Sequence, residues 1–333
     1  MNVIAVALIR RCQLRSRRFQ ETRAKKEEHS MELGMIGLGR MGSNMTLRLL
    51  RGGHEVVVYD PIEESVKYLA KEGASGAGSV AELVGKLSAP RVVWVMVPAG
   101  EAAENAINTL AAELTAGDTI IDGGNSNYKD SMRRGTAVAE RGIHFLDVGT
   151  SGGIWGLEGG YCLMVGGDSG VYQRLEPIFQ TLAPSPQDGY GHVGPSGAGH
   201  FVKMVHNGVE YALMEAYAEG LELMRAKQDF SLNLAQISQI WRYGSVVRSW
   251  LLDLTSAILQ EDPDLHNIQA YVEDTGEGRW TVEEAVNLGV PIPAIIDSVQ
   301  VRFRSRQESP FSGRLMAAMR KEFGGHAVRT GEG

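Results

Sequence analysis

Between Gly197 and Arg225 an amine, an imidazole, an amide, a carboxylate and a phenol fall in one row: Lys203, His206, Asn207, Glu210 and Tyr211 stand at i, i+3, i+4, i+7 and i+8. That spacing stacks side chains along one face of an α-helix, and no proline interrupts the stretch. Phe201, Val202, Met204, Val205, Val209, Ala212, Leu213 and Ala216 fill the rest of the circumference, the pattern of a helix that is buried. Buried polar groups must be satisfied by one another or by a ligand. An amine and a carboxylate together can move protons as base and acid. A structural Lys203 to Glu210 pair bridged by His206 is the alternative, but seven residues rise about 10 Å. That is too far for direct contact, so a ligand between them is the better reading.

The elements that would position such a row begin at Met31. Glu32 to Ile36 reads as a buried strand, GLGRMG (Gly37, Leu38, Gly39, Arg40, Met41, Gly42) as a turn, Ser43 to Gly52 as a helix, and Glu55 to Tyr59 as a second strand ending in Asp60. A GxGxxG turn between strand and helix, with an acid 18 positions after its last glycine, is the context a dinucleotide needs. Gly37 permits the tight turn, Gly39 lets backbone approach the pyrophosphate, and Gly42 allows helix and strand to pack closely. Asp60 accepts from the ribose hydroxyls and repels a 2'-phosphate, and Glu63 and Glu64 follow where arginine would suit NADP. NAD is therefore favoured over NADP. Asp60 also suits a turn before Pro61, which is compatible with the same geometry.

Alternation continues as a doubly wound sheet requires. Arg91 to Val97 is an apolar strand followed by Pro98, Ala99 and Gly100; Ala102 to Leu110 is a helix; Thr119 to Asp122 is a strand followed by GGNSNY, which contains Asn125. After a helix over Tyr128 to Arg141, a strand near Phe145 to Val148 enters GTSGGIWGLEGG (149 to 160), six of whose twelve residues are glycine. Ser151, Gly152 and Gly153 suit a backbone nest for an anion; a plain flexible loop is the alternative. Tyr161 to Val165 and the region before Pro195 complete a Rossmann-type α/β domain over 31–196, joined by a proline-rich connection (183 to 194). From there 197–322 reads as all-helical, with helices over Leu232 to Tyr243, Val246 to Gln260, Leu265 to Glu273, Thr281 to Leu288, Pro293 to Arg306 and Gly313 to Glu322. Residues 323–333 read as a short tail.

Composition narrows the partners. The formal net charge of −7 and the absence of a basic patch in the body of the chain argue against nucleic acid. Residues 1–30 hold eight Arg or Lys against three Glu and read as a disordered extension, or as sequence upstream of a natural start at Met31. Their apolar run, Val3 to Ile9, is too short to span a membrane. Cys12 and Cys162 offer neither a disulfide framework nor metal spacing, which fits a reducing cytoplasm and no metal.

GLGRMGSNM, IDGGNSNY, GTSGGIWGLEGGYCLMVGG, the Lys203 to Tyr211 row, GEGRWT (276 to 281) and FGGHAV (323 to 328) occur in an order that resembles the short form of the decarboxylating 6-phosphogluconate dehydrogenase family, within the β-hydroxyacid dehydrogenases. The resemblance covers Met31 to Val328. It implies oxidation of 6-phosphogluconate at C3 with reduction of NAD, loss of CO2, and release of ribulose 5-phosphate. It makes Lys203 the general base, taking the C3 hydroxyl proton and then stabilising the enolate oxygen, a role for which the amine must start neutral, as burial beside a cationic ring favours. Glu210 becomes the general acid that protonates C1 of the enediol. Cofactor contacts fall on residues 37 to 42, Asp60, Val97, Pro98, Ala99 and Asn125. Substrate contacts fall on Asn125, Ser151, Gly152, Gly153, His206 and Asn207, with Tyr211, Arg279, Thr281 and Arg302 at the 6-phosphate. Long-form members carry lysine where Arg279 stands, and the two cations differ in reach. Arg320 and His326 match tail residues that enter a neighbouring subunit's site. Long forms also contain a second helical half that this chain has no room for, so a homodimer or homotetramer is expected. Two other readings stay open: a dehydrogenase of a small unphosphorylated 3-hydroxyacid, and a non-catalytic NAD or sugar-phosphate sensor.

Overall fold

Strict alternation of strand and helix opens the structure, a computed structural model that describes residues 30–325 and 327–329, apart from the Phe323 side chain. The readings made for residues 1–29 and for His326 lie outside the described residues. In order come β1 (Glu32–Ile36), α1 (Arg40–Gly52), β2 (Glu55–Tyr59), α2 (Glu63–Lys71), β3 (Ser75–Gly76), α3 (Val80–Lys86), β4 (Val92–Val95), α4 (Glu101–Glu113), β5 (Thr119–Asp122), α5 (Tyr128–Ala139) and β6 (His144–Ser151). A 3-10 turn at Gly153–Trp155 and the one-turn α6 (Gly156–Gly159) lead to β7 (Cys162–Gly167), α7 (Ser169–Leu182) and β8 (Tyr190–Gly194). The described strands form one eight-stranded sheet in the order β3-β2-β1-β4-β5-β6-β7-β8. It is parallel from β3 through β6; β7 runs antiparallel to β6, and β8 parallel to β7.

Strand side chains alternate between faces, and the two faces have separate cores. Leu33, Met35, Val56, Val58, Trp94, Leu146 and Val148 pack with Met45 and Leu49 of α1 and with Leu175, Ile178 and Phe179 of α7. Val57, Val93, Val95, Ile120 and Phe145 pack with Leu83 of α3 and with Ile107 and Leu110 of α4. Each such side chain contributes about 1.5–3 kcal/mol by leaving water. The sheet is thus doubly wound, as the alternation requires. The chain runs outward through β2 and β3 and returns to place β4 on the other side of β1. The strand order reverses there, and open sheets bind ligands beyond the carboxyl ends of the strands at such a point.

Two compact units part between Met204 and Val205, inside α8 (Ala198–Ala226). The described part of the second unit is helical: the remainder of α8, then α9 (Leu234–Trp241), α10 (Trp250–Glu261), α11 (Glu277–Leu288), α12 (Pro293–Ser305) and α13 (Phe311–Gly324). No helix among the described residues is long and apolar enough to cross a membrane.

Several sequence readings need correction. The helix expected over 265–273 is absent. Asp262 accepts from the backbone N–H groups of Asp264 and His266, Ser305 accepts from that of Val272, and side chains that satisfy backbone donors in this way compete with helix formation. The helix expected from Val246 begins at Trp250, because Ser249 caps it by accepting from Leu252 N. The glycine-rich 149–160 stretch is partly ordered as the end of β6, a 3-10 turn and α6, and the proline-rich connection contains β8. The alternation also includes α2, α3, β3 and α7, which the sequence reading passed over. On α8 the period is right and Lys203, Asn207 and Tyr211 of the polar row are buried as expected, but the helix is not buried all round: Val202, Val209, Leu213 and Met214 are exposed, and His206 and Glu210 are partly exposed.

Candidate active site

The three glycines after β1 meet three different surroundings. Gly37 has φ 91°, and a Cβ there would stand 2.5 Å from Met96 O. A Cβ on Gly42 would stand 1.9 Å from Gly37 O, so α1 and the turn are in backbone contact. A Cβ on Gly39 would meet nothing within 4 Å. No side chain caps the amino end of α1, and its first turn holds no acid, so this open point faces a positive helix end suited to a pyrophosphate. Arg40 begins α1 in an exposed position, Met41 follows it half-buried, and Leu38 is buried. Asp60 serves the turn and the loop together: Oδ1 accepts from Ile62 N at 2.8 Å and Oδ2 from Leu38 N at 2.7 Å. Each oxygen keeps a lone pair for a ribose hydroxyl. These residues fit a dinucleotide.

The loops after β4 and β5 are tied together by a polar network that sequence reasoning missed. Asp122, at the end of β5 and fully buried, accepts from Gly124 N, Ser126 Oγ and Arg134 Nη1. Arg134, buried on α5, also donates to Gly100 O at 3.3 Å and to Glu104 Oε2 at 2.9 Å. The loop carrying Val97, Pro98 and Ala99 is thereby fastened to the loop carrying Asn125. Hydrogen bonding to Arg133, with a further contribution from Arg134, holds the Glu104 carboxyl down at about 2. Asn125 has φ 54°, unusual for a residue with a side chain, and its buried Oδ1 has no hydrogen-bond partner among the described residues. An orphan acceptor on a strained loop residue at this sheet edge is the kind of group a ligand satisfies.

The start of α8 is seated on β6 and β7 just as closely. Asp147, fully buried on β6, accepts from Gly197 N at 2.6 Å and from His200 N at 2.8 Å, a carboxylate at a helix amino end. His200 Nδ1 lies 2.7 Å from Ser131 Oγ. A Cβ on Gly199 would stand 2.2 Å from Asp147 O, and one on Gly149 would stand 2.3 Å from Lys203 Cβ. Lys203 is therefore buried directly over β6, two residues before Ser151. Ser151 pairs with Cys162 across β6 and β7, and Gly152 and Gly153 follow with φ 130° and 55°. Cys162 keeps solvent access, yet burial pushes its thiol up, against a smaller downward pull from Lys203 when that amine is protonated.

In the second unit the rest of the row gathers partners of its own. His206 Nδ1 stands 3.3 Å from Asn207 Oδ1 and 3.8 Å from Glu210 Oε2. Tyr211 is buried, with the Arg302 guanidinium 3.6 Å above its ring and Thr275 Oγ1 3.3 Å from its hydroxyl. Gly278 packs so closely that a Cβ would lie 2.6 Å from the same ring. Thr281 is buried where α11 meets Gly208 of α8, and its hydroxyl donates to Glu277 O. Arg279 is half-exposed and lies beside Asp274. Tyr211, Thr281, Arg302 and Arg279 are thus neighbours, joined through the 273–281 segment. Arg320 is exposed on α13. Among the described residues no group of three or more His, Cys, Asp or Glu could hold a metal ion.

Comparison with known proteins gives the same picture. The family model described as the NAD binding domain of 6-phosphogluconate dehydrogenase matches residues 32–194, and that of the 6-phosphogluconate dehydrogenase C-terminal domain matches residues 199–312. A Haloferax volcanii protein named as an NAD(+)-dependent, decarboxylating 6-phosphogluconate dehydrogenase is 46% identical over 299 residues, covering 90% of this chain and 98% of that one. A Bacillus subtilis protein of the same name is 36% identical over 286 residues, covering 82% of this chain and 61% of that one. The solved Plasmodium falciparum 6-phosphogluconate dehydrogenase superposes with a TM-score of 0.76 at 30% identity, covering 91% of this chain and 67% of that one.

Proposed function

The chain belongs to the 6-phosphogluconate dehydrogenase family, and from that premise we propose how its residues divide the reaction. It is an NAD-dependent enzyme that oxidatively decarboxylates 6-phospho-D-gluconate to D-ribulose 5-phosphate and CO2. Residues 31–196 form the cofactor domain, and 197–322 the substrate and oligomerisation domain. NAD, when bound, accepts the hydride from C3. Lys203 takes the proton of the C3 hydroxyl, as a buried amine can when it starts neutral. Once protonated, it stabilises the oxygen that turns negative as the carboxylate leaves. Glu210 then protonates the enediol carbon that becomes C1 of the product.

The observation that carries this reading is α8 itself. Lys203 is buried at one end of its polar row, and Tyr211 is stacked on Arg302 at the other. Ser151, Gly152 and Gly153 hold the C1 carboxylate, His206 and Asn207 the region of the C3 hydroxyl, and Asn125 the nicotinamide side. Tyr211, Arg279, Thr281 and Arg302 hold the phosphate. Asp60 favours NAD over NADP by repelling a 2'-phosphate. The working form is a homodimer or homotetramer in which Arg320 and His326 enter a neighbour's site, in a cytoplasmic setting. The test is release of NADH and CO2 from 6-phosphogluconate, with NAD and NADP compared side by side. Equal yields of both products with NAD preferred are expected; NADH without CO2, or neither product, would contradict the reading.

A further inference from the structure

We propose that Asp274 is a positioning residue that aims Arg279 at the substrate phosphate, within a four-residue clip, Glu273 to Gly276, that gathers the phosphate-binding side chains. This rests on the reading that Tyr211, Arg279 and Arg302 bind that phosphate. The Asp274 side chain is 1% exposed, whereas that of Arg279 is 54% exposed. Arg279 Nε lies 2.8 Å from Asp274 Oδ2, and Arg306 Nη2 lies 3.8 Å from the same oxygen. The approach of Arg279 is off the direction of a hydrogen bond, so Oδ2 is held by charge and has no hydrogen-bond donor among the described residues. Oδ1 accepts from Gly276 N at 3.1 Å, which fixes the carboxylate in a tight Asx turn.

A guanidinium whose contact with a carboxylate is made at Nε keeps the donors of both Nη groups for another anion, in the planar fork that matches a phosphate. A half-exposed arginine samples many rotamers, and holding it in one lowers the cost of ordering it on binding. The flanking residues do the same for the other two contacts. Glu273 O accepts from Arg302 Nη1 at 3.0 Å, and Thr275 Oγ1 meets the Tyr211 hydroxyl. Because this segment is not helical, its carbonyls are available for such bonds. A lysine at 279 would offer a point charge without a fork for Asp274 to orient.

The experiment compares Asp274→Asn, Asp274→Glu, Arg279→Ala and the Asp274→Asn/Arg279→Ala double variant on 6-phosphogluconate and on unphosphorylated gluconate. Asp274→Asn is expected to raise KM for 6-phosphogluconate roughly tenfold, as for loss of a partner that orients a metal-ligating side chain. Its kcat should stay near that of the parent, and kcat/KM for gluconate should not change. The double variant should be no worse than Arg279→Ala alone, since the two residues act as one unit. If Asp274→Asn fails to fold, Asp274→Glu, which moves the carboxylate by one methylene, must raise the same KM. An unchanged or lowered KM, or an equal loss on both substrates, overturns the proposal while Arg279→Ala still discriminates against the phosphorylated substrate. If Arg279→Ala does not discriminate, the phosphate reading falls, and this inference with it.

Discussion

The first unit seals Leu33, Met35, Trp94, Leu146 and Phe179 on one face of its sheet and Val93, Ile107, Leu110 and Ile120 on the other. In the second unit the buried apolar side chains among the described residues are Tyr211, Leu252, Leu259 and Val299, and the buried polar ones are Asn207, Ser238, Ser256, Thr281, Ser298 and Arg302. Meanwhile Leu213, Leu223, Ile240, Trp250, Ile258, Val286 and Phe311 are exposed. The first unit is a self-sufficient frame whose ligand edge is built from backbone turns. The second spends its interior on polar groups and carries its apolar surface outside, where a second copy of the chain would cover it.

That contrast can be broken at its strongest point first. Arg134→Ala would leave the Asp122 carboxylate buried without its cation, at a cost of about 3–5 kcal/mol. It would also free the two loops that hold Val97 to Ala99 and Asn125. Urea unfolding should show the loss; a change below about 1 kcal/mol would mean that the sheet edge does not depend on this network. Smaller effects separate packing from binding at two glycines. Gly42→Ala, forced against Gly37 O, should cost about 1–3 kcal/mol, whereas Gly39→Ala should leave stability unchanged and weaken NAD binding. Equal stability losses would refute the division of roles.

The exposed apolar surface makes a different prediction for the second unit: light scattering at assay concentration should find a dimer or tetramer. A fully active monomer would remove the reason given for that surface. The smallest effect is acid sensitivity. The Glu104 carboxyl is held at about 2 in the fold, against 4.5 when unperturbed. Its contribution is therefore complete above about pH 4.5 and is lost as pH falls toward 2. Glu104→Gln should remove that segment of the acid-unfolding profile and leave the rest in place.

How much of this could be read from residues alone follows the same division. β1, β2 and β5 end where the sequence placed them, because apolar strands bounded by glycine or aspartate carry their own stop signals. Three of the five polar residues of the α8 row, Lys203, Asn207 and Tyr211, are buried together because a 3.6-residue period survives in any surroundings. That part of the apolar remainder of that helix would lie outside was not legible, since apolar residues on the outside look the same in sequence as residues in a core. Asp147, Asp122, Arg134 and Asp274 were missed for a related reason. Nothing beside them in sequence marks them out, and for the first three a decisive partner is distant: Arg134 lies 12 positions from Asp122, and His200 lies 53 from Asp147. For Asp274 the partner is near at Arg279, but both fall in the gap between the helices read over 265–273 and 281–288, where no periodicity says which side chains meet.

The central claim is that the α8 row divides proton transfer between Lys203 and Glu210, and turnover of Lys203→Ala with 6-phosphogluconate and NAD tests it most directly. The variant should bind the substrate with near-parental affinity and lose roughly 10²- to 10⁴-fold in kcat, the usual contribution of a positioned base. Parental turnover by Lys203→Ala would show that the base lies elsewhere.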